Sequence, residues 1–279
     1  MKKLLLLVVM ALVMIASPFA NAATHPTATT PQPTAATHTV FIEEGTATWC
    51  PNCPNAAYAL HSMFDNETTH SFYYIAHVYD MSQVAKDRFL KYMEARAFPT
   101  VEFDGGFSYV IGSSSTVENT KALYAPKLLE AKSRTVQPLN VTTKATGSNG
   151  KYSISVTVKN TGDKTYIGVV RPAVCEIQSR WLDQRNQPYH YALLDFAFIK
   201  LVIIHAGATK TIKGSFDGAA KHGNLTFTDL NDQNIIVITS VAQLKLQKVP
   251  AIVEGDTTYV KAHSAVFADQ TDAAYITAE

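Results

Sequence analysis

The sequence has little cysteine, little surplus charge and no internal apolar run long enough to cross a bilayer, and each shortage removes a class of protein. Three cysteines in 279 residues are too few for a scaffold built on disulfides. Against 24 Lys and Arg stand 23 Asp and Glu, with no basic run, so nothing draws the chain electrostatically to nucleic acid or an anionic membrane. The most apolar internal segment, Ala192–His205, is short and interrupted by Asp195 and Lys200, whereas a spanning helix needs about 20 apolar residues. No nucleic-acid partner and no integral membrane segment in the mature chain are expected; partners should be proteins or small molecules.

What is present begins with an address. "MKKLLLLVVMALVMIASPFANA" carries Lys2 and Lys3, an apolar run from Leu4 to Ile15, and a small-x-small ending at Ala20–Ala22. These are the parts of an export signal. Residues 1–22 are therefore expected to be a cleaved signal peptide and the mature protein periplasmic or extracellular. Residues 23–37, "ATHPTATTPQPTAAT", are rich in Thr, Ala and Pro with almost nothing to bury, and read as an extended linker.

Two patterns follow. From His38 to Arg134, strand-like runs (His38–Gly45, Ser71–Asp80, Pro99–Gly106) alternate with helical spacing (Cys50 to Phe64 with Pro51 in the first turn, Ser82–Arg96, Thr116–Ser133), which predicts an α/β domain over residues 38–134. After Arg134 the pattern becomes short alternating runs separated by turn signals. Tyr152, Ile154, Val156 and Val158 share one strand face and Ser153, Ser155 and Thr157 the other, the two-residue period of a half-buried antiparallel sheet. About seven such strands predict an all-β sandwich of immunoglobulin type over residues 135–279, with a C-terminal tail. Its third cysteine, Cys175, stands alone in a strand-like run and reads as a small hydrophobe.

The chemistry concentrates in "TATWCPNCPNAAYAL", Thr46–Leu60. Cys50 and Cys53 could be a redox couple, part of a metal site or a structural bridge. A bridge spanning three residues closes almost no loop and stabilises little through chain entropy. A metal site needs further ligands, and no second CxxC or paired histidine lies nearby, so no metal is expected. Cys50 at the mouth of a helix is a thiol whose ionised form the helix end favours, and Cys53, one turn deeper, can attack a mixed disulfide formed there. Residues 41–60 contain no Lys or Arg, so that help must come from the helix end and local hydrogen bonds.

From His38 to Arg134 the chain resembles the thioredoxin superfamily: a strand, then "WCPNC" opening a helix, then Phe98-Pro99-Thr100 just before a strand. The resemblance implies a thioredoxin-like domain with a redox-active Cys50–Cys53 disulfide and a cis Pro99. It further implies a substrate-binding rim of Trp49, Phe98, Pro99 and Thr100, and a buried acid, Glu44, that exchanges a proton with Cys53. It implies no cofactor. Of the adjacent pair, Glu44 is expected to face inward and Glu43 outward. The whole architecture, with a C-terminal immunoglobulin-like domain, resembles extracytoplasmic proteins related to certain outer-membrane proteins. The implied function is an exported thiol–disulfide oxidoreductase whose partners are exported proteins with thiols or disulfides and an unidentified redox partner. The alternative is a secreted or surface binding module that works through the β-sandwich, with the first domain as scaffold.

Overall fold

The strand expected near the start of the folded chain is β1 (Val40–Thr46), and all seven of its residues are buried. Its unbroken Val40-Phe41-Ile42 run suits a strand covered on both faces. Helix α1 (Cys53–Asp65) starts later than its sequence pattern suggests. Cys50–Asn52 form a turn ahead of it, and Pro54 rather than Pro51 occupies the first helical turn, where a missing N–H costs nothing. Ala56, Ala59, Leu60 and Phe64 form much of its buried side. Strand β2 (Phe72–Val78) follows, then α2 (Gln83–Asp87), which Ser82 caps and which runs directly into a π-type turn at Arg88–Tyr92. Strands β3 (Thr100–Phe103) and β4 (Ser108–Ile111) make a hairpin, and α3 (Val117–Lys132), capped by Thr116, packs beside α1.

The rest is strand: β5 (Leu139–Ser148), β6 (Lys151–Asn160), β7 (Tyr166–Leu182), β8 (Pro188–Phe196), β9 (Lys200–Ile204), β10 (Thr209–Asp217) and β11 (Ile235–Gln243). Short β12 (Gln247–Val249), β13 (Ile252–Glu254), β14 (Thr257–Val260) and β15 (His263–Ala265) form two small hairpin-like pairs, β12 with β15 and β13 with β14, before β16 (Ala268–Thr277). This computed structural model describes residues 38–67 and 70–278; the expected signal at 1–22 and linker at 23–37 lie outside them.

The expectation of an α/β thioredoxin-like domain followed by a separate all-β immunoglobulin-like sandwich is overturned. Among the described residues, one mixed sheet of 12 strands runs β10-β6-β5-β16-β11-β7-β8-β2-β1-β3-β4, with β9 also on β7. The join is β2 beside β8, parallel, with Ala76 opposite Ala192. The cores are joined as well. Leu60, Phe64, Tyr74 and Val101 pack in one cluster with Cys175, Tyr191, Leu193, Ile236 and Ile238. Tyr152, Ile154, Val156 and Val158 face the expected way, into a second cluster with Val174, Leu194 and Val237, so β5, β6 and β10 fold over the other face of β7, β8 and β11. Periodicity reports which face of a strand is buried but not which strand lies beside it. The FYYIAHV run of β2 is apolar enough to be flanked on both edges, and β8 takes the one an isolated α/β unit would leave open.

Candidate functional site

Cys50 and Cys53 are joined by a disulfide, with their Cα atoms 5.4 Å apart. Cys50 is 3% exposed and Cys53 wholly buried, so only the first sulfur's residue touches the surface. Ala47, just beyond β1, packs with both cysteines, and Tyr79 and Phe98 close over them. The Cys50 N–H donates to the Ala47 carbonyl at 3.1 Å, and the Ser113 hydroxyl donates to the Asn52 carbonyl at 2.7 Å. Asn52 gives α1 no side-chain cap. The first-turn N–H groups and the positive end of the helix therefore remain directed toward the turn that carries Cys50.

An aromatic column supports this turn. Trp49, 56% exposed, meets Phe98 edge-on at 5.5 Å, and Phe98 stacks on Phe89 at 4.4 Å. A Cβ on Gly45 would lie 2.3 Å from the Phe89 ring, so a residue with no side chain is what lets Phe89 settle against β1. The Phe98–Pro99 peptide bond is cis. Pro99 and Thr100 are buried, the Pro99 carbonyl accepts from Gly112 N–H at 2.8 Å, and the Thr100 hydroxyl donates to the Ala97 carbonyl at 2.7 Å. Of the four expected rim residues, Trp49 and Phe98 reach the surface, while Pro99 and Thr100 lie behind them.

Glu44 is fully buried, and neither carboxyl oxygen has a hydrogen-bond partner. Burial first, and then the negative charge of Asp183, raises its pKa to about 8, because an ionised carboxylate with no partner is poorly tolerated away from water. Its negative charge would in turn oppose ionisation of Tyr74, Tyr124 and Tyr189.

Sequence reasoning missed the turn between β7 and β8. Asp183 accepts from the Tyr58 hydroxyl of α1 at 2.9 Å, Arg185 donates to the Asn55 side chain in the first turn of α1 at 2.8 Å, and the Tyr189 hydroxyl donates to the Ala47 carbonyl at 3.0 Å. A guanidinium thus reaches the helix end from a distant segment, although residues 41–60 supply none. The only available sequence signal was "DQRNQPY", Asp183–Tyr189, a polar turn with nothing in its spacing to connect it to Cys50.

Glu43, expected to face outward, is also fully buried, on the other face of β1. Arg88 grips it with two bonds of 2.7 and 2.5 Å, and His77 Nε2 lies 2.9 Å away. Burial alone would raise its pKa; the Arg88 charge and the His77 and Arg88 hydrogen bonds outweigh that and hold it well below the usual carboxylate range. Cys175 is buried, and burial pushes its thiol well up, as suits a packing residue.

No protein-family model and no curated protein matches this sequence. Among solved structures the chain is similar to HBP35 of Porphyromonas gingivalis, with a TM-score of 0.58 at 12% identity over 88% of this chain and 77% of that one. At that identity the likeness is one of fold. Beta-glucosidases from Kluyveromyces marxianus (TM-score 0.27, 16% identity, 51% of this chain and 15% of that one) and Listeria innocua with isofagomine (0.27, 12%, 50% and 16%) also align, too weakly to bear on fold or function. No helix among the described residues is long and apolar enough to cross a membrane.

Proposed function

We propose that the protein is an exported thiol–disulfide oxidoreductase of thioredoxin-like chemistry, acting on thiols or disulfides of other exported proteins through Cys50 and Cys53. The observation that carries this reading is a disulfide at the open end of a helix, beside a strand whose buried carboxyl has no partner and holds its proton near neutral pH. Cys50 is the entry point, since Cys53 is enclosed. When a substrate thiolate attacks the Cys50 sulfur, the Cys50–Cys53 bond breaks and Cys53 leaves as a thiolate, which takes the proton of Glu44 directly or through water. A second substrate thiolate then displaces Cys50, so the substrate loses two electrons and the protein becomes the dithiol. Run in reverse, the Cys50 thiolate opens a substrate disulfide and Cys53, giving its proton to Glu44, releases the reduced substrate. Trp49 and Phe98 form the surface a substrate meets first.

The test is alkylation of the reduced protein near neutral pH together with exchange against a model disulfide. Cys50 should be modified first, with a pKa below the ~8.5 of a free thiol, and Cys50→Ser should abolish exchange while Cys175→Ser leaves it intact. Preferential labelling of Cys53, or undiminished exchange by Cys50→Ser, would refute the assignment.

A further inference from the structure

On the Glu43 face, away from the disulfide, two adjoining cavities of about 360 and 480 Å³ share a wall that includes Arg88, Lys91, Tyr92 and Arg171. Among the described residues, one cation on that wall has no ion-pair partner. Arg88 is held by Glu43, Lys91 by Asp87 at 3.0 Å and Glu94 by Arg96 at 2.9 Å, and Asp195 lies 2.8 Å from the His222 ring. Arg171, on β7, is only 7% exposed. Among the described residues no carboxylate oxygen lies within 4.0 Å of it, and its Nε and Nη2 have no hydrogen-bond partner. Glu102 faces the same cluster, 3.9 Å from Arg88; burial and then the neighbouring Glu43 charge push its pKa well up, and neither it nor Glu43 comes within ion-pair distance of Arg171. Burial, and then repulsion from Arg88, lowers Arg171 itself to about 10 against the longer-range attraction of Glu43 and Glu102, which leaves it a cation at physiological pH.

A cation so enclosed and unmatched is strongly unfavourable unless something else pairs with it. The rest of the larger cavity describes what that is. Val169, Phe196 and Val266 give it apolar walls, and Tyr92 and Ile199 are 60% and 59% exposed at its edge. Its volume is in the range of small-molecule sites. We propose that this cavity binds a small amphipathic monocarboxylate, its head paired with Arg171 and its apolar body lying along Tyr92, Phe196 and Ile199. One unmatched guanidinium selects one negative charge, and the planar fork of arginine suits a carboxylate. This site is independent of the cysteine chemistry.

Calorimetric titration of the full chain with octanoate, 1-octanol and octyltrimethylammonium tests it. Octanoate should bind saturably at one site, with the alcohol and the ammonium at least tenfold weaker. Arg171→Gln should weaken octanoate at least tenfold and leave the alcohol unchanged. Ile199→Glu, which adds a carboxylate at an exposed rim position and keeps Arg171, should weaken octanoate severalfold, and it decides the matter alone if Arg171→Gln fails to fold. No octanoate binding, equal binding of the three probes, or octanoate binding that Ile199→Glu leaves unchanged would overturn the proposal.

Discussion

Glu43 and Glu44 are neighbours on one strand, equally buried, and opposite in charge state. Alternation sends their side chains to opposite faces of β1, and on each face the partners decide the outcome. Glu43 meets Arg88 and His77 and stays ionised, with its pKa well below the usual range. Glu44 has only the repelling charge of Asp183 and accepts no hydrogen bond, and its pKa rises to about 8. Burial alone does not set a carboxyl's charge; the same strand carries an ion-paired carboxylate on one side and a carboxyl without a hydrogen-bond partner on the other.

The largest expected effect comes from breaking the Glu43 side. Arg88→Met leaves a buried carboxylate without its cation, and chemical denaturation should show a loss of about 3–5 kcal/mol, the usual consequence of removing one partner of a buried pair. A loss below about 1 kcal/mol, the size of an exposed pair, would show that the two faces do not differ as described.

Next is the pH dependence of stability, where the two glutamates have opposite signs. The folded state holds the Glu44 proton at pH values where the unfolded chain has released it. The stability this provides is therefore complete below about pH 4.5 and is lost as pH rises to about 8, with a slope of up to about 1.4 kcal/mol per pH unit. Glu43, its pKa lowered in the fold, contributes stability above its unfolded pKa that is lost as pH falls. Glu102 shifts in the same direction as Glu44, so the informative quantity is the difference between the natural chain and Glu44→Gln. Across pH 4.5 to 8, denaturation midpoints should show the variant gaining on the natural chain. A constant difference would mean that Glu44 does not titrate in that window.

The smallest effect concerns the distant hairpin that covers the site. Tyr189→Phe removes the hydroxyl that donates to the Ala47 carbonyl and should cost about 1 kcal/mol, with faster alkylation of Cys50 in the reduced protein because Ala47 packs against both cysteines. Loss of stability without a change at Cys50 would detach the β7–β8 region from the site.

How much of this was legible in the sequence follows the same division. β1, α1, β2 and the strand after Pro99 announced themselves through local pattern, and the Trp49–Cys53 run and the Phe98-Pro99 step each drew attention as short local motifs, which the structure brings together through the contact of Trp49 with Phe98. The two faces of β1 were not legible. Alternation says that Glu43 and Glu44 point apart, but whether a face meets water or another layer depends on which elements cover the strand, and here α2 with its π-type turn covers one face and α1 with α3 the other. The pairing of β2 with β8, the arrival of Arg185 and Asp183 at α1, and the unmatched Arg171 are long-range contacts between segments that carry no local sign of one another. The two-unit reading failed for that reason: a change in pattern at Arg134 is real, but it does not interrupt the sheet.

The account rests most heavily on Glu44 as the proton partner of Cys53. Loading Cys50 of the reduced protein with a chromogenic thiol as a mixed disulfide, and following its release by Cys53 in single turnovers from pH 5 to 9, tests this directly. The account predicts that the rate for the natural chain rises with an inflection near the Glu44 pKa of about 8, and that Glu44→Gln is at least tenfold slower at neutral pH, without that inflection and still folded. Superimposable pH profiles for the two proteins would contradict it.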